Sequence, residues 1–513
     1  MSASEGELCD NPSITQKAPG IKGIPDRSMQ YRTIIRITGL LMGLFSITML
    51  PPALVAIYYK DGGGTAFIQA FVVSLILGFI FWYPNRKHKS ELRTREGFLI
   101  VVLFWTVLGS IGALPFIFSS TPDLSWTDSF FESFSALTTT GATVIVGLDS
   151  LPKAILFYRH LLQWLGGMGI IVLAVAILPV LGIGGMQLYR AEIPGPVKDS
   201  KMTPRIAETA KALWYIYLLL TIACATAYWA AGMSVFDAIC HSFSTIAIGG
   251  FSTHDASMGY FDSPTINMIC VVFLIIAAVN FSVHFAAMSR RGINLRVYFR
   301  DTEFKILVAI QLLLTAICFA TLYHSGIYDS PEETFDYALF QAVSISTTAG
   351  FGTESFHLWP LFLPMLLIFS SFIGGCGGST AGGIKVIRVV LLLLQGSREL
   401  KRLIHPRAMF SIRIGKTALP DRVVDAVWGF FSAYALVFVI CMLILMAMGL
   451  DDITAFSATA ACLNNLGPGL GEVASNYASI GDGAKWVLVV AMLFGRLEIF
   501  TLLVLFTPTF WRT

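Results

Sequence analysis

The chain has 513 residues, 55% of them hydrophobic and only 13% charged, with a formal net charge of +3 and a mean hydropathy of +0.71. A soluble protein of this length carries roughly 25% charged residues, so the composition excludes a soluble enzyme and points to a polytopic helical membrane protein. The small net charge says little about nucleic acid, and no basic patch interleaved with aromatics supports binding it.

Residues 1–28 are polar and rich in Pro, Gly and Ser, with no apolar stretch of signal-peptide type. They read as a disordered leader or expression tag, with the native start at Met29. Apolar spans near 37–58 and 65–83 follow, joined through Lys60-Asp61-Gly62-Gly63-Gly64, and make an N-terminal transmembrane hairpin over 29–95. Eight further spans lie near 98–118, 156–182, 212–231, 265–288, 306–323, 359–395, 426–449 and 486–507. They pair into repeats over 96–204, 205–302, 303–419 and 420–513.

Between the two spans of each repeat lies one short segment. These are DSFFESFSALTTTGAT from Asp128, DAICHSFSTIAIGGFS from Asp237, DYALFQAVSISTTAGFG from Asp336 and TAFSATAACLNNLGPG from Thr454. Twelve helical residues reach about 18 Å, against about 30 Å of hydrocarbon. Such a helix enters and turns back, and its returning backbone must line a protein-enclosed watery cavity. The expected fold is therefore all-α: four pseudo-symmetric repeats of span, pore helix, filter loop and span around one central pore, behind the two-helix hairpin.

A dehydrated alkali cation needs a ring of oxygens in place of its water, and constrained loop carbonyls supply one. The candidate ring is Thr139-Thr140-Gly141, Ile248-Gly249-Gly250, Thr348-Ala349-Gly350 and Asn465-Leu466-Gly467. No carboxylate lies in these triplets, which disfavours a divalent filter. Asp128, Asp237 and Asp336 are read as caps of the pore helices. His241 and His284 are read as satisfied core histidines, and Asn280 as bonding across helices.

The segment 359–395 is too long for one span. Gly374, Gly375, Gly377, Gly378, Gly382 and Gly383, with Ser379 and Thr380 among them, interrupt it. So many glycines cannot hold a helix in lipid. The expectation is two halves of about 12–15 residues each, a break near mid-membrane, hydroxyls available to passing ions, and Lys385 facing the cytoplasmic mouth. A glycine-kinked helix is the alternative. Arg496, inside the last apolar span, costs roughly 2.5–3.5 kcal/mol at a helix centre. It is expected to project into the conduction path as a barrier, the alternative being a structural ion pair, for example with Glu498 of another subunit. The eight cysteines form no C-x-x-C pair and read as buried free thiols.

Lys and Arg crowd the connections between repeats, while Asp dominates the pore-side loops. The positive-inside rule makes the former cytoplasmic, opens the filters outward and leaves both termini inside. No phosphate loop or dinucleotide fingerprint occurs, so no nucleotide is expected on this chain itself.

TTTGAT, IGGFST, TTAGFGT and NNLGPGLG, together with QWLGGMGIIV and GGCGGSTAGGIK, resemble the Trk/Ktr/HKT superfamily of potassium-translocating proteins over about residues 29–513. In that superfamily glycine at the centre of all four loops goes with potassium, and serine in the first with sodium. The resemblance thus implies K+ as the transported ion. It also implies an intramembrane gating loop at 374–383 with an arginine beside it, a homodimer in a bacterial inner membrane, and a cytosolic nucleotide-binding ring (TrkA-like) as partner. Two other readings stay open: a symporter coupled to protons or sodium, and the ion-conducting subunit of a pump complex. An intramembrane enzyme is the weakest reading, since no H-E-x-x-H occurs.

Overall fold

The computed structural model describes residues 29–88, 94–180, 206–289, 292–414, 417–419, 421–497 and 499–512. Residues 1–28, expected as a leader or tag, much of the basic connection after residue 180 and Glu498 lie outside these residues.

Helix α1 (Tyr31–Ser46) runs on through a 3-10 turn into α2 (Leu50–Tyr59) and pairs with α3 (Gly64–Trp82). Gly39 and Gly78 let the two backbones touch: a Cβ on Gly39 would lie 2.6 Å from Trp82 N, and one on Gly78 2.8 Å from Gly39 O. Such small residues replace hydrophobic drive as the means of packing helices in lipid.

The first repeat comprises α4 (Thr94–Gly112), the short α5 (Trp126–Leu137) and α6 (Lys153–Val180). The second comprises α7 (Ile206–Ala230), the short α8 (Val235–Ala247), α9 (Pro264–Ala278) and α10 (Phe281–Ala287). In the third are α11 (Thr302–Ser325), the short α12 (Pro331–Ser346), α13 (Leu363–Ser371) and α14 (Val386–Ile404). The fourth holds α15 (Asp421–Ala447), the short α16 (Asp452–Asn464), α17 (Asp482–Arg496) and α18 (Phe500–Leu503). Among the described residues six helices are long and apolar enough to cross a bilayer, or up to eight if each sharply bent pair is one span. Among the described residues the strands are two ladders of two residues a side, Met288–Ser289 with Gly292–Ile293 and Arg413–Ile414 with Thr417–Ala418.

Packing is cyclic. Each short helix touches the two spans flanking it in sequence and the second span of the preceding repeat: α5 meets α17, α8 meets α6, α12 meets α9, and α16 meets α13. Polar bonds follow the same rule. Lys485 at the start of α17 reaches Asp128 on α5 over 2.6 Å, and Asn267 on α9 donates to Asp336 on α12 over 2.7 Å.

Two expectations need correction. The aspartates are not the caps. Ser125, Ser234, Ser330 and Asp451 accept the N–H three residues on, from Asp128, Asp237, Glu333 and Thr454. Asp128 and Asp237 stand in the first turn, where a carboxylate favours the positive helix end, and each receives its serine's hydroxyl proton. Asp336 lies inside α12, held by Asn267. Secondly, interruption is not confined to the third repeat. Helix α6 has non-helical backbone at Gly169, α9 and α10 meet at 94°, and α17 and α18 meet at 107°. The spans expected to run straight over 265–288 and 486–507 are therefore broken. The third repeat's halves are unequal, 9 and 19 residues.

Candidate ion pathway

The four short helices end alike. Thr139, Ile248, Thr348 and Asn465 adopt positive φ of 54°, 53°, 69° and 54°. The next residue's N–H bonds back five residues: Thr140 to Ser135 O at 2.9 Å, and Gly249 to Ser244 O, Ala349 to Ser344 O and Leu466 to Ala461 O at 2.8 Å each. This is the Schellman way to satisfy last-turn carbonyls, normally built on glycine. Three of the four left-handed residues here are β-branched, a costly choice that persists only where the surroundings enforce it. Gly141, Gly250, Gly350 and Gly467 then take φ of 80°, 76°, 82° and 100°.

These loops meet. A Cβ on Gly141 would collide with Gly249 O, one on Gly250 with Ala349 O, and one on Gly350 with Leu466 O, while one on Gly467 would lie 2.8 Å from Thr140 O. Each glycine thus abuts the middle carbonyl of another loop, and the four contacts close a ring. The contacts join the middle residue and the glycine of each of the four candidate triplets. The four glycines line a vestibule of about 350 Å³, with Asp255, Glu354 and Arg159 among its other walls.

Buried side chains brace the ring. Arg159 Nε donates to Glu132 Oε1 over 2.7 Å, and both are fully buried. Glu132 also accepts the Thr143 hydroxyl and the Val144 N–H, and Arg159 donates to Ser252 O. One ion pair therefore ties the first loop to the second. Asn465 Nδ2 donates to Thr140 Oγ1 over 2.9 Å, tying the fourth loop to the first. His241 engages Asp237 O and Ser252 Oγ, and His284 engages Tyr298 OH and Ile276 O. Asn280 caps α10 by accepting Ser282 N–H, a local bond and not the interhelical one expected.

The glycine-rich stretch lies against the inner ends of the short helices. Thr380 Oγ1 donates to Ile246 O over 2.9 Å, Gly382 N to Thr348 Oγ1 over 2.7 Å and Gly383 N to Asn464 O over 3.0 Å. Its glycines make room for backbone: a Cβ would drive Gly374 into Gly382 O, Gly375 into Ala381 Cβ, and Gly382 into Asn464 O. Gly378 rests on Asn280, and Gly377 donates to Glu303 Oε1 over 2.7 Å. Ser379 donates to Cys376 O, so the hydroxyl protons of Ser379 and Thr380 are both engaged within the fold. Lys385, expected at the cytoplasmic mouth, folds its ammonium back onto Ala381 O.

Arg496 is the last residue of α17. It points to the same place, with Nη1 at 3.4 Å from Thr380 O and 3.5 Å from Thr139 Oγ1, and Nη2 on Gly166 O and Gly167 O. It thereby links the glycine-rich loop to the first triplet.

A ring of backbone carbonyls from four unlike loops thus lies against a glycine-rich segment and an arginine. Residues 63–512 match the model of a family described as TrkH, cation transport protein. The chain belongs to the TrkH cation transport family. It is 71% identical over 485 residues to the Trk system potassium uptake protein TrkH of Vibrio parahaemolyticus, and 65% identical over 484 residues to that of Escherichia coli, in each case over 94% of this chain and the relative's full length. A crystal structure of the potassium transporter TrkH from Vibrio parahaemolyticus superposes with a TM-score of 0.86 at 68% identity, over 94% of this chain and all of that one.

Within this TrkH-family chain, sequence reading passed over Glu132, Arg159, Gln163 and Glu303. The signal was present for Glu132, Arg159 and Gln163, each a polar side chain inside a largely apolar run, where an unpartnered group is expensive; Glu303 sits among Arg300, Asp301 and Lys305 and carries no such mark.

Proposed function

We propose that this chain carries K+ across the bacterial inner membrane through the ring of four loops, with both termini cytoplasmic. The observation that carries this reading is the closed sequence of glycine-on-carbonyl contacts, because carbonyls so arrayed replace an alkali cation's hydration shell without any ionised side chain. Thr139 to Gly141, Ile248 to Gly250, Thr348 to Gly350 and Asn465 to Gly467 are its selectivity filter. Residues 374–383 with Arg496 form its gate, a barrier of backbone and positive charge beneath the filter. The exposed Lys401, Arg402 and Arg407 at the end of α14 favour docking of a nucleotide-binding TrkA-like ring, and two copies of the chain assemble as a homodimer.

Rubidium uptake into sealed liposomes holding this protein alone, driven by a potassium gradient, tests the reading. Uptake without a proton or sodium gradient, blocked by excess potassium, supports a passive pathway. Uptake only when a second gradient is imposed overturns it in favour of a symporter.

A further inference from the structure

The four middle carbonyls of the ring are not equivalent. Gln163, fully buried on α6, donates from Nε2 to Gly249 O over 2.6 Å and accepts Phe251 N–H at 3.3 Å. Among the described residues no donor reaches the corresponding oxygens of Thr140, Ala349 or Leu466. The second loop also differs in sequence at this position, with glycine where the others have Thr140, Ala349 and Leu466. The reason is spatial: a Cβ on Gly249 would lie 2.5 Å from Gln163 Cδ, so the amide fills the place of a side chain. One position further along, the asymmetry recurs in the fourth loop. Tyr477 OH donates to Gly467 O over 2.7 Å, and among the described residues nothing donates to Gly141 O, Gly250 O or Gly350 O.

We propose that Gln163 and Tyr477 are specificity-determining residues of the cation path, each holding one carbonyl of a filter layer by a hydrogen bond and leaving three oxygens of that layer unengaged. The inference rests on the potassium-pathway reading above. Selection among alkali cations depends on the number and field strength of the carbonyl dipoles around the ion. A carbonyl that already accepts a short hydrogen bond has turned a lone pair, and part of its field, toward the donor. A layer with fewer oxygens replaces less of the hydration shell, so it separates K+ from Na+ less sharply. Both residues act through a carbonyl and are positioning residues.

The test is the reversal potential of the full chain in bilayers, with K+ on one side and Na+ on the other. Gln163→Met keeps length without a donor, and Tyr477→Phe removes the hydroxyl alone. A reversal potential does not depend on how many pathways are active, so a loss of folded protein by itself leaves it in place. The expected result is a K+ to Na+ permeability ratio severalfold above the parent chain in each variant, and higher again in the double variant. An unchanged or lower ratio in the conducting variants overturns the inference. Should Gln163→Met not conduct, the ratio of Tyr477→Phe decides. A parent chain that passes no alkali cation overturns the proposed function, whereas a selective parent with unshifted variants overturns only this inference.

Discussion

Lys485 Nζ lies 2.6 Å from Asp128 Oδ1, joining the fourth repeat to the first across 357 positions of sequence. The lysine side chain is only 5% exposed and the aspartate 22%. Removing the lysine leaves a carboxylate at a desolvated interface with no counter-charge, a loss between those of surface and buried pairs, about 2 kcal/mol. Lys485→Met is expected to lower the apparent melting temperature in detergent, and Asp128→Asn on that background to restore part of it. Non-additivity of the two changes is the signature of a direct pair.

The glycine contacts rank the cost of a methyl group. Alanine at Gly141, Gly250 or Gly350 runs directly into a neighbouring carbonyl, whereas at Gly467 the gap is 2.8 Å. All four carry positive φ, so each alanine is strained. Rubidium uptake is expected to be abolished by the first three and to survive in part in Gly467→Ala. Equal loss at all four would show that strain, not the shared carbonyl contact, sets the outcome.

Arg496→Ala withdraws the donors on Gly166 O, Gly167 O and Thr380 O together with a positive charge beside Thr139. Basal rubidium flux is expected to rise. Unchanged flux through well-folded protein would count against a barrier at this side chain.

Glu303 ties the glycine-rich loop to the start of α14, because its Oε1 accepts Gly377 N–H over 2.7 Å and Ile387 N–H over 3.1 Å. A hydrogen bond of this kind contributes about 1 kcal/mol. Glu303→Ala is expected to raise basal flux without altering the K+ to Na+ ratio, since the filter triplets are untouched. A changed ratio with unchanged flux would place Glu303 in the wrong role.

In the loop after the second triplet, His254 Nδ1 bonds Asp149 and Nε2 lies 3.6 Å from Asp237 Oδ1. Burial opposes its charge, but the bonds to Asp237 and Asp149 prevail and raise its pKa. A raised histidine contributes stability that is fully present below its ordinary pKa near 6.5 and is lost as pH rises through the folded value. The apparent melting temperature is therefore expected to be higher at about pH 6 than at about pH 8.5, by more than in His254→Ala. A difference of the same size in both proteins would assign the effect elsewhere.

Much of the site was legible because the ring is written in backbone. Gly141, Gly250, Gly350 and Gly467 are recognisable by position between spans, and the short helices by length against the bilayer. The caps were legible too and were misread: Ser125-Trp-Thr-Asp128 and Ser234-Val-Phe-Asp237 carry a serine three residues before the aspartate, the order of a capping box. The breaks at Val279 and Leu497 were not read, although Asn280, Arg496 and Glu498 are polar interruptions there, because a hydropathy window averages over single residues and has no term for direction. Glu132 with Arg159, and Gln163 with Gly249, bring together residues 27 and 86 positions apart. Those distances are fixed by how repeats dock, which no local pattern records.

One consequence follows from the ring being drawn by four dissimilar segments of a single polypeptide. A pore of identical subunits receives every substitution in fourfold dose, so any change that hurts one quadrant hurts all. Here each quadrant is spelled separately, as Thr-Thr-Gly, Ile-Gly-Gly, Thr-Ala-Gly and Asn-Leu-Gly. A single codon can therefore adjust one quarter of the ring and leave three untouched, so that under the proposed function selectivity can drift in small steps.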